Sequence, residues 1–209
     1  YCENSAYATV SWSVEATPIA GSFTKTPDVM NVCENDMVSA ILIAGNGGNG
    51  IDELEFRTNN GTWSAWTAYT SGTDISTADI SGVEIRTRRT ASYCENSAYV
   101  TVSWSVEATP IAGSFTKTPD VMNVCENESV SAILTAGNGG NGIDELEFRT
   151  NNGIWTAWTA YTSGTDISTA DISGVEIRTR RTASYCENSA YATVSWSVEA
   201  TPIAGTLTK

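Results

Sequence analysis

The heptapeptide Tyr-Cys-Glu-Asn-Ser-Ala-Tyr occurs three times, beginning at Tyr1, Tyr93 and Tyr185, with a spacing of 92 residues each time (93 − 1 and 185 − 93). Aligned at that offset, residues 1–92 and 93–184 differ at six positions. A fixed period constrains architecture before any local pattern does. A period of this length is that of a whole small domain, whereas solenoid repeats mostly run about 20 to 50 residues. We therefore expect tandem domains of one type, joined like beads on a string.

The boundaries between these domains are expected at a Pro-flanked segment that recurs in each copy. Residues 17–27 are bracketed by two prolines, and we predict a short, stiff linker there. In this frame residues 1–16 are the last strand of a preceding module, residues 17–108 and 109–200 are two complete modules, and residues 201–209 begin the next. Because the chain starts and stops in mid-module, we expect it to be a slice of a longer protein.

Each copy carries about seven strand patterns and no helical periodicity. Residues 8–15 alternate apolar with polar side chains, as a half-buried strand does. Residues 82–91 place Val, Ile and Thr on one face and Glu and Arg on the other. An Asn-Asn-Gly turn at residues 59–61 separates two strand runs, over 52–58 and 63–70, and predicts a hairpin. This pattern favours an all-β sandwich for each copy.

The charge balance excludes several classes of partner. Twenty-four Asp and Glu residues against eleven Lys and Arg give a net charge of −13. Nucleic acids and anionic membranes bind basic surfaces, so we expect neither as a partner, and no apolar run is long enough for membrane insertion. The chain has no His, which removes the commonest general base and the commonest zinc ligand. We predict no enzyme activity, no catalytic residue and no cofactor.

Five cysteines alternate at intervals of 31 and 61 residues: Cys2, Cys33, Cys94, Cys125 and Cys186. We predict the disulfides Cys33–Cys94 and Cys125–Cys186, with the partner of Cys2 outside the chain. Each would close a long loop, worth about 4 kcal/mol in the chain-entropy model. The alternative pairs Cys2 with Cys33 and Cys94 with Cys125, and leaves Cys186 to a partner further along. Either pairing implies an oxidising, extracytoplasmic setting.

Aromatic residues recur at a spacing of three after the hairpin turn. Trp63 and Trp66, with Trp155 and Trp158 in the second copy, are typical of a carbohydrate-binding platform. On a strand this spacing sends the two rings to opposite faces, so we expect one in the core and one exposed. Packing in the core, or against a neighbouring module, is the alternative to sugar stacking.

A basic cluster and an acidic cluster lie on neighbouring predicted strands. Arg86 and Arg88 recur as Arg178 and Arg180 in the second copy. They are expected to pair across strands with the acidic residues at positions 53 and 55, or to dock on an acidic face of another module. Together with Asp52, those carboxylates lie beside the Gly-rich loop at residues 45–50, which leaves a calcium site completed by Asn side chains as a further alternative.

Four stretches carry a family resemblance: V-C-E-N-D-M-V-S-A-I-L-I-A-G-N-G-G-N-G, E-F-R-T-N-N-G-T-W-S-A-W, V-E-I-R-T-R-R-T-A-S-Y-C and T-V-S-W-S-V-E-A-T-P. They resemble the immunoglobulin-like repeats of very large secreted surface proteins of Bacteroidetes. The resemblance implies tandem immunoglobulin-like sandwiches, export by the type IX system and display at the extracellular cell surface. It also implies roles in adhesion, gliding motility or extracellular filaments, and it defines no functional residue.

Two functions from different classes follow from the sequence. The first is a structural or adhesive repeat region whose partners are other modules of the same chain or of neighbouring chains in a fibre. The second is a tandem array that binds surface glycans through exposed Trp, where repetition adds avidity.

Overall fold

A computed structural model describes residues 1–202 and 204–205 of the chain. The chain forms two compact units, one made of Tyr1–Met30 with Asn35–Ser105, the other of Asn31–Glu34 with Val106–Lys209. All regular elements of the described residues are strands, so none of them provides an apolar helix long enough to cross a membrane.

Eight strands come from each copy of the repeat. Those of the first copy are β1 (Ser22–Thr26), β2 (Asn31–Cys33), β3 (Met37–Ile43), β4 (Asp52–Asn59), β5 (Thr67–Ala68), β6 (Ile75–Ser76), β7 (Gly82–Arg89) and β8 (Val100–Glu107). Those of the second copy are β9 (Ser114–Thr118), β10 (Asn123–Cys125), β11 (Ser129–Thr135), β12 (Asp144–Asn151), β13 (Thr159–Ala160), β14 (Ile167–Ser168), β15 (Gly174–Arg181) and β16 (Ala192–Glu199).

The strands of each copy form one three-stranded and one five-stranded sheet. In the first copy the orders are β1-β3-β6 and β2-β8-β7-β4-β5, and the second copy repeats them as β9-β11-β14 and β10-β16-β15-β12-β13. Strands β10 and β16 run parallel. The pairs β1–β3, β3–β6, β4–β5, β4–β7 and β7–β8 are antiparallel, as are their counterparts in the second copy. The three-stranded sheet corresponds to strands A, B and E of an immunoglobulin domain, and β8, β7 and β4 correspond to G, F and C. The predicted fold of tandem, all-β, immunoglobulin-like sandwiches is confirmed.

Strand β7 shows why the core forms where it does. Its residues Val83, Ile85 and Thr87 are fully buried, while the charged residues between them lie on the opposite face, as the alternation predicts. The second core is made of Val124, Val130, Ala132, Tyr161, Ile167, Val175, Ile177 and Trp196. The Trp196 indole is 2% exposed and donates a hydrogen bond to the carbonyl of Pro119 at 3.0 Å, so its one polar group is satisfied.

Two of the predicted segments are different in the structure. The predicted linker at residues 17–27 contains strand β1, which pairs with β3 and turns Phe23 inward to a half-buried position. The predicted strand at residues 63–70 is irregular except for β5. The two prolines of the first segment flank an edge strand, where the missing N–H groups cost nothing.

Residues 1–16 are exposed apart from the half-buried Glu15, and they belong to none of the strands of the described residues. Trp12 is 84% exposed, although residues 8–15 have the same sequence as β16, in which Trp196 is buried. The predicted beginning of a further module at residues 201–209 falls mostly outside the described residues.

The Gly-rich loop at residues 45–50 packs closely against other backbone segments. Gly47 and Gly48 have φ of +68° and +57°, and their backbones lie against the carbonyls of Thr17 and Thr90, where a Cβ would collide. This close approach of backbone explains the glycines without a phosphate or other ligand.

Candidate functional site

The most organised polar surface of the first unit lies on strands β4 and β7. Their register places Arg57 opposite Glu84, Glu55 opposite Arg86, and Glu53 opposite Arg88. All three pairs form ion pairs on the face away from the core. The predicted cross-strand pairing of Arg86 and Arg88 with these carboxylates is confirmed.

Aromatic rings lie between these guanidinium groups. The Arg57 guanidinium carbon lies 4.7 Å from the ring centroid of Trp63 and 4.4 Å from that of Trp66. That of Arg86 lies 3.9 Å from Trp66 and 3.8 Å from Tyr99. Arg88 adds a contact with Tyr99 at 4.8 Å. We call this continuous series the arginine ladder; its members in order are Trp63, Arg57, Trp66, Arg86, Tyr99 and Arg88.

The second unit contains the same ladder, built from Trp155, Arg149, Trp158, Arg178, Tyr191 and Arg180. Its ring distances run from 3.8 to 4.9 Å. The copies differ nearby, with Thr62 and Ser64 in the first where Ile154 and Thr156 stand in the second. These exposed substitutions leave the ladder contacts unchanged.

The ladder is internally satisfied. Each guanidinium is half-buried, paired with a carboxylate and in contact with a ring, and such contacts contribute about 0.5 to 2 kcal/mol each. The hydrogen bond to Glu53 raises the pKa of Arg88, and burial raises the pKa of Tyr99. Both effects keep Arg88 charged and Tyr99 neutral at neutral pH, so these two groups are suited to cross-bracing.

The prediction that Trp63 and Trp66 point to opposite faces of the sheet is wrong. The chain is irregular between them, so strand alternation does not apply, and both rings contact Arg57. Trp63 is 40% exposed, and Trp155 is 37% exposed at the same position. Trp66 and Trp158 are half-buried, each in contact with two guanidinium groups.

The carboxylates proposed for calcium are engaged elsewhere. Asp52 accepts hydrogen bonds from the guanidinium of Arg89, at 2.9 Å, and from the backbone of Gly45. Glu53 and Glu55 form ion pairs with Arg88 and Arg86 of the arginine ladder. Within the described ranges no cluster of three or more potential metal ligands is present.

A second polar site holds the loop that contains the Tyr-Cys pair of the repeat. In the second unit the carboxylate of Glu107 accepts hydrogen bonds from the backbone N–H groups of Ser184 (2.9 Å), Tyr185 (2.7 Å) and Cys186 (2.9 Å). We call this arrangement the carboxylate clamp. Three donors on one carboxylate form a charge-assisted site stronger than a neutral turn.

The first unit has the same clamp. The Glu15 carboxylate accepts from the N–H groups of Ser92, Tyr93 and Cys94 at 2.8, 2.7 and 3.0 Å. Sequence reasoning missed both clamps. The available signal was a Glu at one fixed distance before Ser-Tyr-Cys in each copy, between the strand sequence Ser-Val and the segment Ala-Thr-Pro.

The hydrogen bonds of each clamp favour the ionised form of its carboxylate. Burial acts to raise the pKa of Glu107, but the three backbone donors together outweigh it and hold the pKa below its usual range. In the first unit the hydrogen bond from Ser92, followed by that from Tyr93, lowers the pKa of Glu15. Both carboxylates therefore remain ionised at a lower pH than an ordinary Glu does.

A disulfide joins Cys33 to Cys186 within the second unit, with a Cα–Cα distance of 5.3 Å that suits such a bond. The Glu34 N–H donates to the Glu107 carbonyl at 2.9 Å, which places Cys33 beside the clamp. The clamp in turn holds Cys186 in reach. The bond thus joins a cysteine of the first copy of the repeat to one of the second.

The predicted pairings are both wrong. The structure bonds Cys33 to Cys186, and among the described residues Cys2, Cys94 and Cys125 remain thiols. Strand β16 supplies the reason. Cys125 is level with Glu199 at the end of β16, whereas Cys186 precedes its start, so nearly the whole strand separates them. Eight residues rising about 3.3 Å each put these cysteines far beyond disulfide reach.

Comparisons with known proteins find structural neighbours of low identity and no family. No protein family and no curated protein matches the chain. Among solved structures, Rst D1-D2 shares 11% identity and a TM-score of 0.47 over 90% of this chain and 99% of its own. The N-terminal four Ig domains of Dscam1 isoform 4.4 share 11% identity with this chain at a TM-score of 0.44. The match covers 88% of this chain and 47% of that structure. Murine CEACAM1b shares 11% identity at a TM-score of 0.36, over 87% of this chain and 100% of its own.

Proposed function

We propose that this chain is a structural and adhesive repeat region of a large extracellular surface protein or filament, without enzymatic activity. The observation that carries the proposal is the disulfide Cys33–Cys186, which links one copy of the repeat covalently to the next. A linkage of this kind serves an array that must keep its copies together under load. It also requires the oxidising environment in which surface proteins fold.

The arginine ladder supports the same proposal. It is retained in both copies, and its charged groups are turned toward each other instead of toward a ligand. A network of stacked and paired side chains across two strands resists sliding of one strand past the other. Repetition of an internally satisfied surface is what an array of spacers requires, and the sequence resemblance adds display at the cell surface.

The test is electron microscopy of native material that contains this repeat, sheared from cells. We expect extended fibres with an axial period of about 35 to 45 Å, one sandwich of strands that rise about 3.3 Å per residue plus a linker. Antibodies raised against the 209-residue chain should label the fibres along their length. Labelled material that consists of short, separate particles would contradict the proposal.

A second candidate function is binding of surface glycans at Trp63 and Trp155. The observation that favours it is the exposure of these two rings, 40% and 37%, at the outer end of each ladder, where each contacts one guanidinium. Their partners Trp66 and Trp158 each contact two guanidinium groups, which leaves less ring surface for a sugar.

A glycan array separates the two candidates. Binding that is lost in a double variant, Trp63→Ala with Trp155→Ala, would establish the glycan function. The matched control is the double variant Ile41→Ala with Ile133→Ala, which removes apolar surface of similar exposure on another sheet. Equal, weak signals from the unmodified chain and both double variants would contradict the glycan function and leave only the structural role.

A further inference from the structure

The end of the second sandwich that carries Cys125 repeats the arrangement that holds Cys33. Cys125 is level with Glu199 in the parallel pairing of β10 with β16. The Glu126 N–H donates to the Glu199 carbonyl at 2.9 Å, the distance found between Glu34 and Glu107. The thiol of Cys125 and the carboxylate of Glu199 thus stand on the same backbone frame as Cys33 and Glu107.

The two ends differ in what covers them. Cys33 and Glu107 are half-buried, whereas Cys125 and Glu199 are exposed. The covering element on the first is the loop Ser184–Cys186, which supplies three N–H donors to Glu107 and the sulfur for Cys33. The exposed end therefore presents one carboxylate and one thiol. The groups that bind their counterparts are known from the same molecule: three backbone N–H groups bind Glu107, and a cysteine sulfur bonds Cys33.

The free loop of the first unit shows the other half of this pairing. It has the same Ser-Tyr-Cys sequence, and its Tyr93 is 92% exposed, against 60% for Tyr185 in the bonded loop. Cys94 is exposed where Cys186 is half-buried. The loop that is clamped but not bonded to a Cys33-type cysteine is thus more exposed to solvent. This difference indicates that the strand carrying such a cysteine covers part of the loop when the two are bonded.

We propose that the Cys125 end is a docking site for the Ser-Tyr-Cys loop of a further copy of the repeat, clamped by Glu199 and locked by a disulfide to Cys125. The rule for the array is that the β2-type cysteine of one copy bonds the loop cysteine of the next copy. This inference deepens the proposed function, because it assumes that copies follow one another.

The bond forms by thiol–disulfide exchange with oxidised glutathione. One thiolate attacks a glutathione sulfur and expels one glutathione thiolate; the second cysteine then displaces the other. Two cysteine thiols lose two protons and two electrons in total, and one oxidised glutathione becomes two reduced molecules. The clamp raises the effective concentration of the two cysteines, as a linker does between two binding sites.

The experiment extends the intact chain by one period. Residues 118–209 are appended again after Lys209, which continues the repeat with 92 further residues (209 − 118 + 1). The protein is oxidised with a glutathione couple, its remaining thiols are alkylated, and its peptides are mapped without reduction. We expect Cys125 bonded to the appended copy of Cys186, and Cys33 bonded to Cys186 as before. Alkylated Cys125, or Cys125 bonded to any other cysteine, would overturn the inference.

Two variants of the extended chain keep this test sharp. With the appended loop cysteine replaced by Ser, we expect Cys125 to be alkylated while near-ultraviolet circular dichroism shows an intact fold. Glu199→Gln should slow formation of the Cys125 bond about tenfold, since it removes a charged hydrogen-bond acceptor; an unchanged rate would show that the clamp does not guide docking. The map is independent of fibre imaging, so a correct map without native fibres would contradict the proposed function alone.

Discussion

The loops Ser92–Cys94 and Ser184–Cys186 have the same sequence and the same clamp, yet one ends in a free thiol and the other in a disulfide. The N–H to carboxylate distances agree within about 0.1 Å between the two clamps. The loop is therefore placed without the disulfide, by the clamp together with the hydrogen bonds at its flanks, such as that from the Ala91 N–H to Asn96. The disulfide is added where a Cys33-type strand lies beside the loop.

The comparison separates two kinds of linkage between consecutive copies. The clamp is electrostatic and reversible, and it needs one Glu at the end of a strand. The disulfide is covalent and needs a second strand from the same copy as that Glu. In the second unit the two linkages hold the same loop.

The largest expected effect comes from breaking the disulfide. Cys33→Ser should lower the free energy of unfolding of the second unit by up to about 5 kcal/mol, the chain-entropy value for cysteines separated by 153 residues. The matched control is Cys94→Ser, which removes the equivalent thiol of the unbonded loop and should change stability by less than about 0.5 kcal/mol. Hydrogen exchange in urea measures the second unit at β16 for Cys33→Ser and the first unit at β7 for Cys94→Ser; equal effects would contradict the assigned bond.

The ladders, in contrast to the loops, should behave identically in the two units. Trp66→Ala and Trp158→Ala each remove two ring contacts with guanidinium groups and should each destabilise their own unit by about 2 kcal/mol or more, packing loss included. Hydrogen exchange of β7 and β15 reports each unit separately. A clear difference between the two variants would show that the difference between the copies is not confined to the loops.

Removal of the clamp charge should loosen both loops, but to different degrees. Glu15→Gln should raise the amide exchange rates of Ser92 to Cys94 about tenfold, because no covalent bond remains to hold that loop. Glu107→Gln should raise those of Ser184 to Cys186 less, because the disulfide still holds it. If Cys33→Ser is added to Glu107→Gln, the amides of Ser184 to Cys186 should exchange as fast as those of Ser92 to Cys94 do in Glu15→Gln. Amides that stay protected in this double variant would contradict the account.

The clamp also predicts a pH dependence with a definite sign. A carboxyl whose pKa is lowered by folding stabilises the folded state fully above its ordinary pKa of about 4.3, and this contribution is lost as pH falls through the lowered value. The amide resonance of Tyr185 should therefore titrate below pH 4.3, and the titration should vanish in Glu107→Gln. A midpoint above the ordinary carboxyl value would contradict the hydrogen bonding described.

The smallest expected effect lies in the core. The hydroxyls of Thr87 and Thr179 are fully buried, and no hydrogen-bond partner is found for them among the described residues. Thr87→Val and Thr179→Val keep the shape and remove an unsatisfied group, so each should be neutral or stabilise by about 1 kcal/mol in thermal unfolding. A loss of more than about 1 kcal/mol would reveal a role for the hydroxyl.

Features that depend on periodicity were predictable from sequence. The period of 92 residues gave two equivalent sandwiches, and the alternation along residues 82–89 gave the buried face of β7. The same alternation put Arg86 and Arg88 on the outer face of their strand, which made cross-strand pairing with the carboxylates at positions 53 and 55 the expected arrangement. The register that sets Arg86 opposite Glu55 and Arg88 opposite Glu53 came from the structure.

Features that depend on irregular backbone or on strand direction were not predictable. The route of the chain from Trp63 to Trp66 has no regular period, so alternation could not place the rings. The disulfide depends on which end of a strand each cysteine meets, and spacing alone does not contain that information. Residues 8–15 make the point again: their sequence is that of β16, and they form no strand among the described residues, because a strand exists through its neighbours in a sheet.

Peptide mapping of the intact 209-residue chain without reduction tests the central claim most directly. The chain is oxidised with glutathione, its free thiols are alkylated, and it is digested and analysed by mass spectrometry. The account predicts one linked peptide pair, containing Cys33 and Cys186, with Cys94 and Cys125 alkylated. Peptides that link Cys33 to Cys94, or Cys125 to Cys186, would contradict it.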